Sequence, residues 1–173
     1  MNCETEKRVV ILGLGNLLLS DEGVGVHVVQ VLLRMRLPSY IEVVDGGTGG
    51  FELIEHVRGM SKVIIIDCIN TEAKPGSIIR LTLDELSLQQ PLPFSAHEGG
   101  IRELLWQIHA LAPVPEVVVF GVVPADANQL GMRLSAVVES RLPRIVSAVV
   151  EEATTQYSED VLSDETFDLG EGD

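Results

Sequence analysis

Short apolar runs that alternate with helical patterns restrict this chain to an α/β fold. The runs are rich in Val and Ile and occupy residues 8–12, 41–44, 62–67 and 116–120. Continuous apolar runs of this length are typical of parallel strands that are buried on both faces. Between and after them, apolar residues recur at helical spacing in residues 22–35, 51–57, 100–111 and 134–153.

A further segment, residues 77–83, alternates apolar and polar side chains as a half-exposed strand does. We therefore predict a mostly parallel sheet of about five strands with residues 77–83 at its edge. A length of 173 residues fits one domain. Residues 154–173 contain seven acidic and no basic residues. We predict that residues 1–153 form the domain and that residues 154–173 form a disordered, acidic tail.

The charge of the chain excludes several classes of partner. A formal net charge of -14 disfavours binding to nucleic acid and to anionic membrane surfaces. No apolar stretch approaches the roughly 18 residues that span a bilayer. The two cysteines, Cys3 and Cys68, form neither a disulfide framework nor a zinc-type spacing. We expect a cytoplasmic protein, with Cys68 as a buried apolar residue rather than a nucleophile.

Three potential metal ligands, Glu22, Asp67 and His97, follow apolar runs or lie where the chain turns into a helix. The carboxyl ends of strands in an open parallel sheet share one edge, so these side chains can converge in a crevice there. Two carboxylates and an imidazole suit a borderline divalent cation. Each residue also has a simpler explanation. Ser20 or Asp21 could cap a helix that begins beside Glu22, Asp67 could cap a loop, and His97 could be an ordinary loop histidine.

The glycines after the first strand leave a second type of site open. Gly13, Gly15 and Asp45 could hold a nucleotide or S-adenosylmethionine, but the third glycine of a GxGxxG motif is replaced by Leu18, within an apolar Leu triplet. A nucleophilic serine elbow, a phosphate-binding Walker loop and an HExxH zinc motif are all absent from the sequence.

Several segments together resemble the hydrogenase maturation proteases, the endopeptidases that process the large subunit of nickel-iron hydrogenases. The resemblance covers roughly residues 8–150. It is carried by residues 10–16 (VILGLGN), 21–25 (DEGVG), 45–48 (DGGT), 66–67 (ID), 95–97 (SAH) and 120–124 (FGVVP).

The resemblance implies a single-domain, three-layer α/β/α sandwich with a twisted sheet between helices. It also implies an aspartyl-type endopeptidase that removes a C-terminal extension from the large-subunit precursor after nickel insertion. Glu22, Asp67 and His97 match the residues that contact nickel carried by the substrate, a metal that zinc or cadmium can replace, and they are the expected catalytic residues. The expected substrate-binding residues are Asn16, Asp45, Gly46, Gly47 and Thr48. A nickel chaperone without hydrolytic activity is an alternative that uses the same three ligands.

Overall fold

The computed structural model describes residues 7–87 and 98–163. Its strands are β1 (Val9–Leu14), β2 (Ile41–Gly47), β3 (Lys62–Cys68), β4 (Ile78–Thr82) and β5 (Glu116–Val122). They form one sheet in the order β2-β1-β3-β5-β4. All pairings are parallel except that between β4 and β5, which is antiparallel. The predicted five-stranded, mostly parallel sheet with residues 77–83 at its edge is therefore confirmed.

Helices cover both faces of this sheet. In the described residues they are α1 (Val24–Leu32), α2 (Ile54–Val57), α3 (Leu83–Ser87), α4 (Glu98–His109), α5 (Ala136–Glu139) and α6 (Leu142–Ser163). One apolar cluster joins the sheet to α2, α3 and α4, and the other joins it to α1, α5 and α6. The molecule is thus a three-layer α/β/α sandwich, as expected. None of the helices within the described residues has the length and apolar character that crossing a bilayer requires.

Some helix bounds differ from the prediction. The pattern at 134–153 is two helices, because the chain breaks after α5 and Pro143 occupies the first turn of α6, where its missing N–H costs nothing. α6 then continues to Ser163, ten residues beyond the expected end at Ala153. No Gly or Pro interrupts residues 144–169, so nothing local stops the helix. The acidic segment therefore begins inside α6, and residues 164–173 lie outside the described residues.

α3 was not predicted, although a capping box marks its start. The Thr82 backbone N–H and hydroxyl both donate to Glu85 Oε2, at 2.7 and 2.9 Å, and the Glu85 N–H lies 3.4 Å from the Thr82 hydroxyl. This reciprocal arrangement satisfies N–H groups that a helix start leaves without partners. It turns the chain out of β4 and places the buried side chain of Leu86 on the core.

A charged network fixes the opposite edge of the sheet, where β3 and β5 begin. The buried Lys62 ammonium lies 2.7 Å from Glu152 Oε1 and 3.1 Å from Glu116 Oε1. The Arg80 guanidinium donates two further hydrogen bonds to Glu152, at 2.7 and 2.9 Å. These hydrogen bonds from Arg80, aided by Lys62, lower the pKa of Glu152 to about 2. The network ties three strands to α6.

Candidate functional site

The candidate site lies where the chain reverses its direction of travel across the sheet. After β1 the chain enters α1 on one face, whereas after β3 it leads through β4 and α3 to α4 on the other face. β1 and β3 are neighbours, so their outgoing connections separate at adjacent strand ends. Such a switch point opens a crevice at the carboxyl edge of a parallel sheet, and ligands bind there in open α/β folds.

Glycines allow the start of α1 to pack directly on these strand ends. A Cβ atom at Gly25 would meet the carbonyl oxygens of Leu14 and Ile66, and one at Gly13 would meet the carbonyl oxygen of Gly25. Any side chain at either position would push α1 away from the sheet. The close approach carries the preceding 3₁₀ turn, Ser20–Gly23, to the edge of β3. Glu22 is thereby brought to the end of the strand that holds Asp67.

This close packing accounts for Gly13 and Gly15, and no nucleotide ligand is needed to explain them. A Cβ at Gly15, which has a φ of +129°, would collide with the carbonyl oxygen of Glu22. The space that a pyrophosphate would need beside Gly13 and Gly15 is therefore occupied by the 3₁₀ turn and by α1. The glycine loop serves the packing of the chain on itself.

Asp67 is a buried acid at the carboxyl end of β3. Its side chain is 1% exposed, and its Oδ1 accepts a 2.7 Å hydrogen bond from the N–H of Cys68. No described residue donates a hydrogen bond to its Oδ2. Burial raises the pKa of Asp67 to about 7, the Cys68 N–H opposes this rise, and the negative charge of Glu22 adds to it. This carboxyl group therefore titrates near neutral pH, as a general base or a metal ligand can use.

Glu22 is also fully buried, within the 3₁₀ turn that precedes α1. Its electrostatic effect on Asp67 shows that the two carboxyl groups act on each other. The alternative that Ser20 or Asp21 caps the helix is wrong, because neither the turn nor α1 has a side-chain cap hydrogen bond. Two acids that act on each other in a buried crevice repel, and a proton or a cation would offset that repulsion.

The third predicted ligand, His97, lies outside the described residues. Within residues 7–87 and 98–163, no group of three His, Cys, Asp or Glu side chains is placed to hold a metal ion. The structure thus brings Glu22 and Asp67 together, and the contribution of His97 stays a prediction. Cys68 is buried in the apolar core, in agreement with its expected role.

The predicted substrate-binding residues lie at the end of β2 and in the loop after β1. The exposed Asp45 accepts a 3.0 Å hydrogen bond from the N–H of Gly47, the last residue of β2, which has a φ of +49°. The Gly15 N–H donates to the Gly47 carbonyl at 2.8 Å, so the end of β2 lies beside the residue that follows β1. Asn16 Oδ1 accepts a 2.9 Å hydrogen bond from the N–H of Leu18.

Gly46 lies between Asp45 and Gly47 in β2, and Thr48 is the first residue after the strand. The end of β2 and the Asn16 loop are therefore neighbours at the carboxyl edge of the sheet. Their contact with a substrate stays a prediction.

Asp21 has a structural role that the sequence reasoning missed. Its buried carboxylate accepts hydrogen bonds from the N–H groups of Ala125, Asp126 and Ser135 at 2.9, 3.1 and 2.7 Å, and from the Ser135 hydroxyl at 2.8 Å. It thereby joins the Glu22 turn to the loop between β5 and α5. Its partners lie more than 100 positions away, and the only local signal was a second acid beside Glu22.

Two open clefts in the described part of the chain lie away from these carboxylates. One, with a volume of about 410 Å³, borders Met60 and Pro113 near the starts of β3 and β5. The other, of about 350 Å³, borders Lys74, Arg141 and Arg144. Neither is lined by Glu22 or Asp67, and both of these acids are buried.

Comparisons with known proteins identify the family of this chain. Residues 26–152 match the family model described as hydrogenase maturation protease. The chain is 29% identical over 163 residues to the hydrogenase 2 maturation protease of Escherichia coli, covering 91% of this chain and 99% of that protein. It is 36% identical over 118 residues to a putative hydrogenase maturation protease of Methanocaldococcus jannaschii, covering 67% and 75%. Among solved structures, the E. coli hydrogenase maturating endopeptidase HybD superposes with a TM-score of 0.74 at 29% identity, covering 87% of this chain and 93% of that one.

Proposed function

This chain belongs to the hydrogenase maturation protease family and is an endopeptidase, and we propose that it removes a C-terminal extension from a nickel-iron hydrogenase large-subunit precursor after nickel insertion. In this proposal the nickel ion belongs to the substrate. It enters the crevice at the ends of β1 and β3 when the precursor docks.

The observation that carries the proposal is the pair of buried acids at the switch point. Asp67 and Glu22 are both removed from water, and in the described residues Asp67 has no basic side chain within ion-pair distance. Burying an acid in this way is costly unless a cation or a proton compensates it. A divalent cation delivered by the substrate would supply that compensation at the moment of docking.

The donor set suits a metal that is shared with another molecule. Glu22 and Asp67 supply oxygen ligands, and His97 is proposed as the nitrogen ligand. Three ligands from the protease leave positions open for the substrate's own ligands, and a mixed oxygen and nitrogen set accepts nickel, zinc or cadmium. The peptide that leads to the scissile bond is proposed to bind at the end of β2 (Asp45, Gly46 and Gly47), at Thr48 and at the neighbouring Asn16.

Two routes to hydrolysis are compatible with these residues. In one, the metal polarises the scissile carbonyl or a water molecule. In the other, a carboxylate, Glu22 or Asp67, takes a proton from the attacking water. The pKa of Asp67, about 7, suits the second role, since a base works best when its pKa is near the working pH.

The test is to mix the purified protein with nickel-loaded and nickel-free forms of its cognate precursor and to measure the intact mass of the precursor. We expect loss of a C-terminal peptide from the loaded form alone. Cleavage of both forms would contradict nickel recognition. Binding of the loaded form without any cleavage would favour a nickel chaperone.

A further inference from the structure

Three large apolar side chains are exposed together at the rim of the candidate site. Leu18 is 57% exposed, Leu130 is 82% exposed and Met132 is 66% exposed. We call these three residues the rim patch. Single exposed apolar residues are common, but adjacent ones at the edge of a functional crevice mark interaction surfaces.

Backbone hydrogen bonds hold the two segments of the rim patch side by side. The Gly131 N–H donates to the Leu18 carbonyl at 3.0 Å, and the Ser20 N–H donates to the Gly131 carbonyl at 2.7 Å. These bonds form a short parallel bridge between Leu19 and Gly131. Leu18 therefore lies next to Leu130 in register, and Met132 follows two residues later on the same segment.

Side-chain hydrogen bonds of Asp21 and Ser20 also hold the loop that carries Leu130 and Met132 in place. The Asp21 carboxylate receives its four hydrogen bonds from residues that flank the patch loop, Ala125 and Asp126 before it and Ser135 after it. The Ser20 hydroxyl adds a 2.9 Å bond to the Arg133 carbonyl. An irregular loop thus presents its apolar side chains in one arrangement, which lowers the entropy lost when a partner binds.

We propose that the rim patch is a docking surface for an apolar segment of the hydrogenase large-subunit precursor, an inference that rests on the proposed function. The patch is continuous with the site, because Leu18, Ser20 and Glu22 belong to one stretch of chain. A substrate that reaches Glu22 is therefore close to Leu18, four residues earlier in the chain. An apolar contact also suits a protein with a net charge of -14, since it binds without relying on charges that salt would screen.

The test compares two variants in binding and in cleavage of the nickel-loaded precursor. Leu130→Ser/Met132→Ser removes two members of the rim patch, and Leu33→Ser removes a similarly exposed leucine, 59% exposed, just after α1. We expect the double variant to raise Kd and KM by about 10- to 100-fold, since each large apolar side chain withdrawn from water contributes roughly tenfold to affinity. Its kcat and thermal midpoint should match those of the wild type, and Leu33→Ser should match in every respect.

Several results would overturn this assignment. One is a double variant that has the Kd of the wild type. Another is a double variant whose loss of affinity for the precursor equals that of Leu33→Ser. A change in oligomeric state on size-exclusion chromatography with light scattering would instead assign the patch to a second copy of this chain. A wild-type protein that binds the precursor tightly through the patch yet never cleaves it would refute the proposed function and leave the docking surface in place.

Discussion

Asp67→Asn should stabilise the protein at alkaline pH even though it alters the candidate site. Burial raises the pKa of Asp67 from 3.8 to about 7. Below pH 3.8 the carboxyl group is protonated in both the folded and the unfolded chain, so it has no effect on the free energy of unfolding. Between pH 3.8 and 7 the unfolded chain ionises first, and stability falls as the pH rises. Above pH 7 the loss is constant.

The size of this loss of unfolding free energy follows from the change in the pKa of Asp67. About three pKa units at about 1.4 kcal/mol each give a penalty on the order of 4 kcal/mol above pH 7. Asn is neutral at every pH and retains the Oδ1 that accepts the Cys68 N–H. Asp67→Asn should therefore recover much of this energy at pH 8. For a domain of this size that corresponds to a rise of roughly 10 °C in Tm.

The assay is urea unfolding of wild type and variant at pH 4 and pH 8, in the presence of a metal chelator. We expect the two proteins to agree at pH 4 and the variant to be more stable at pH 8, while losing cleavage activity. Asp45→Asn, at an exposed acid of the same sheet edge, is the control and should change stability by less than about 0.5 kcal/mol. Equal unfolding free energies of wild type and Asp67→Asn at pH 8 would refute the reasoning.

Three other predictions concern the fold and the site. Gly25→Ala should lower the unfolding free energy by about 1–3 kcal/mol in urea titrations, since its Cβ meets two carbonyl oxygens, whereas Gly131→Ala, with nothing within 4 Å, should be nearly neutral. Glu152→Gln should lower Tm at pH 7 and lower it less at pH 3. The folded-state pKa of Glu152 is lowered, so this carboxylate stabilises the fold above its unfolded pKa of 4.5, and the stabilisation is lost as the pH falls towards 2. An equal drop in Tm at pH 7 and pH 3 would contradict this. His97→Ala should abolish precursor processing in the mass assay while the protein stays folded. The control His109→Ala, at the end of α4, should process the precursor normally. Normal processing by His97→Ala would show that His97 is not part of the site.

The parts of the fold that depend on local pattern were predictable. The apolar runs gave the strands within a few residues, and alternation at 77–83 placed β4 at the edge. The convergence of Glu22 and Asp67 was also predictable, because parallel strand ends share an edge. The extent of α6 was missed because acidic composition was taken as a sign of disorder, although no helix-breaking residue follows Pro143 until Gly170.

Features that depend on long-range contacts were beyond the sequence. The role of Asp21 requires knowing that Ala125 and Ser135 lie beside the turn, and no spacing in the chain encodes this. The burial of Asp67, and hence its raised pKa, depends on which segments of the chain cover the strand end, and residue spacing does not give this. Gly13 lets α1 pack against the sheet, and the sequence offered this glycine equally to a nucleotide site.

The two ends of β3 differ in how their buried charges are balanced, and this difference bears on selectivity. Lys62 at the start of the strand has two carboxylate partners, whereas Asp67 at its end faces another acid. For the proposed reaction, a precursor without nickel would bring no positive charge to this pair of acids. Such docking would be opposed by repulsion, and a nickel-bearing precursor would relieve it. Repulsion from the buried acids would then disfavour binding of the immature, nickel-free substrate, and no separate structural element would be needed to detect the metal.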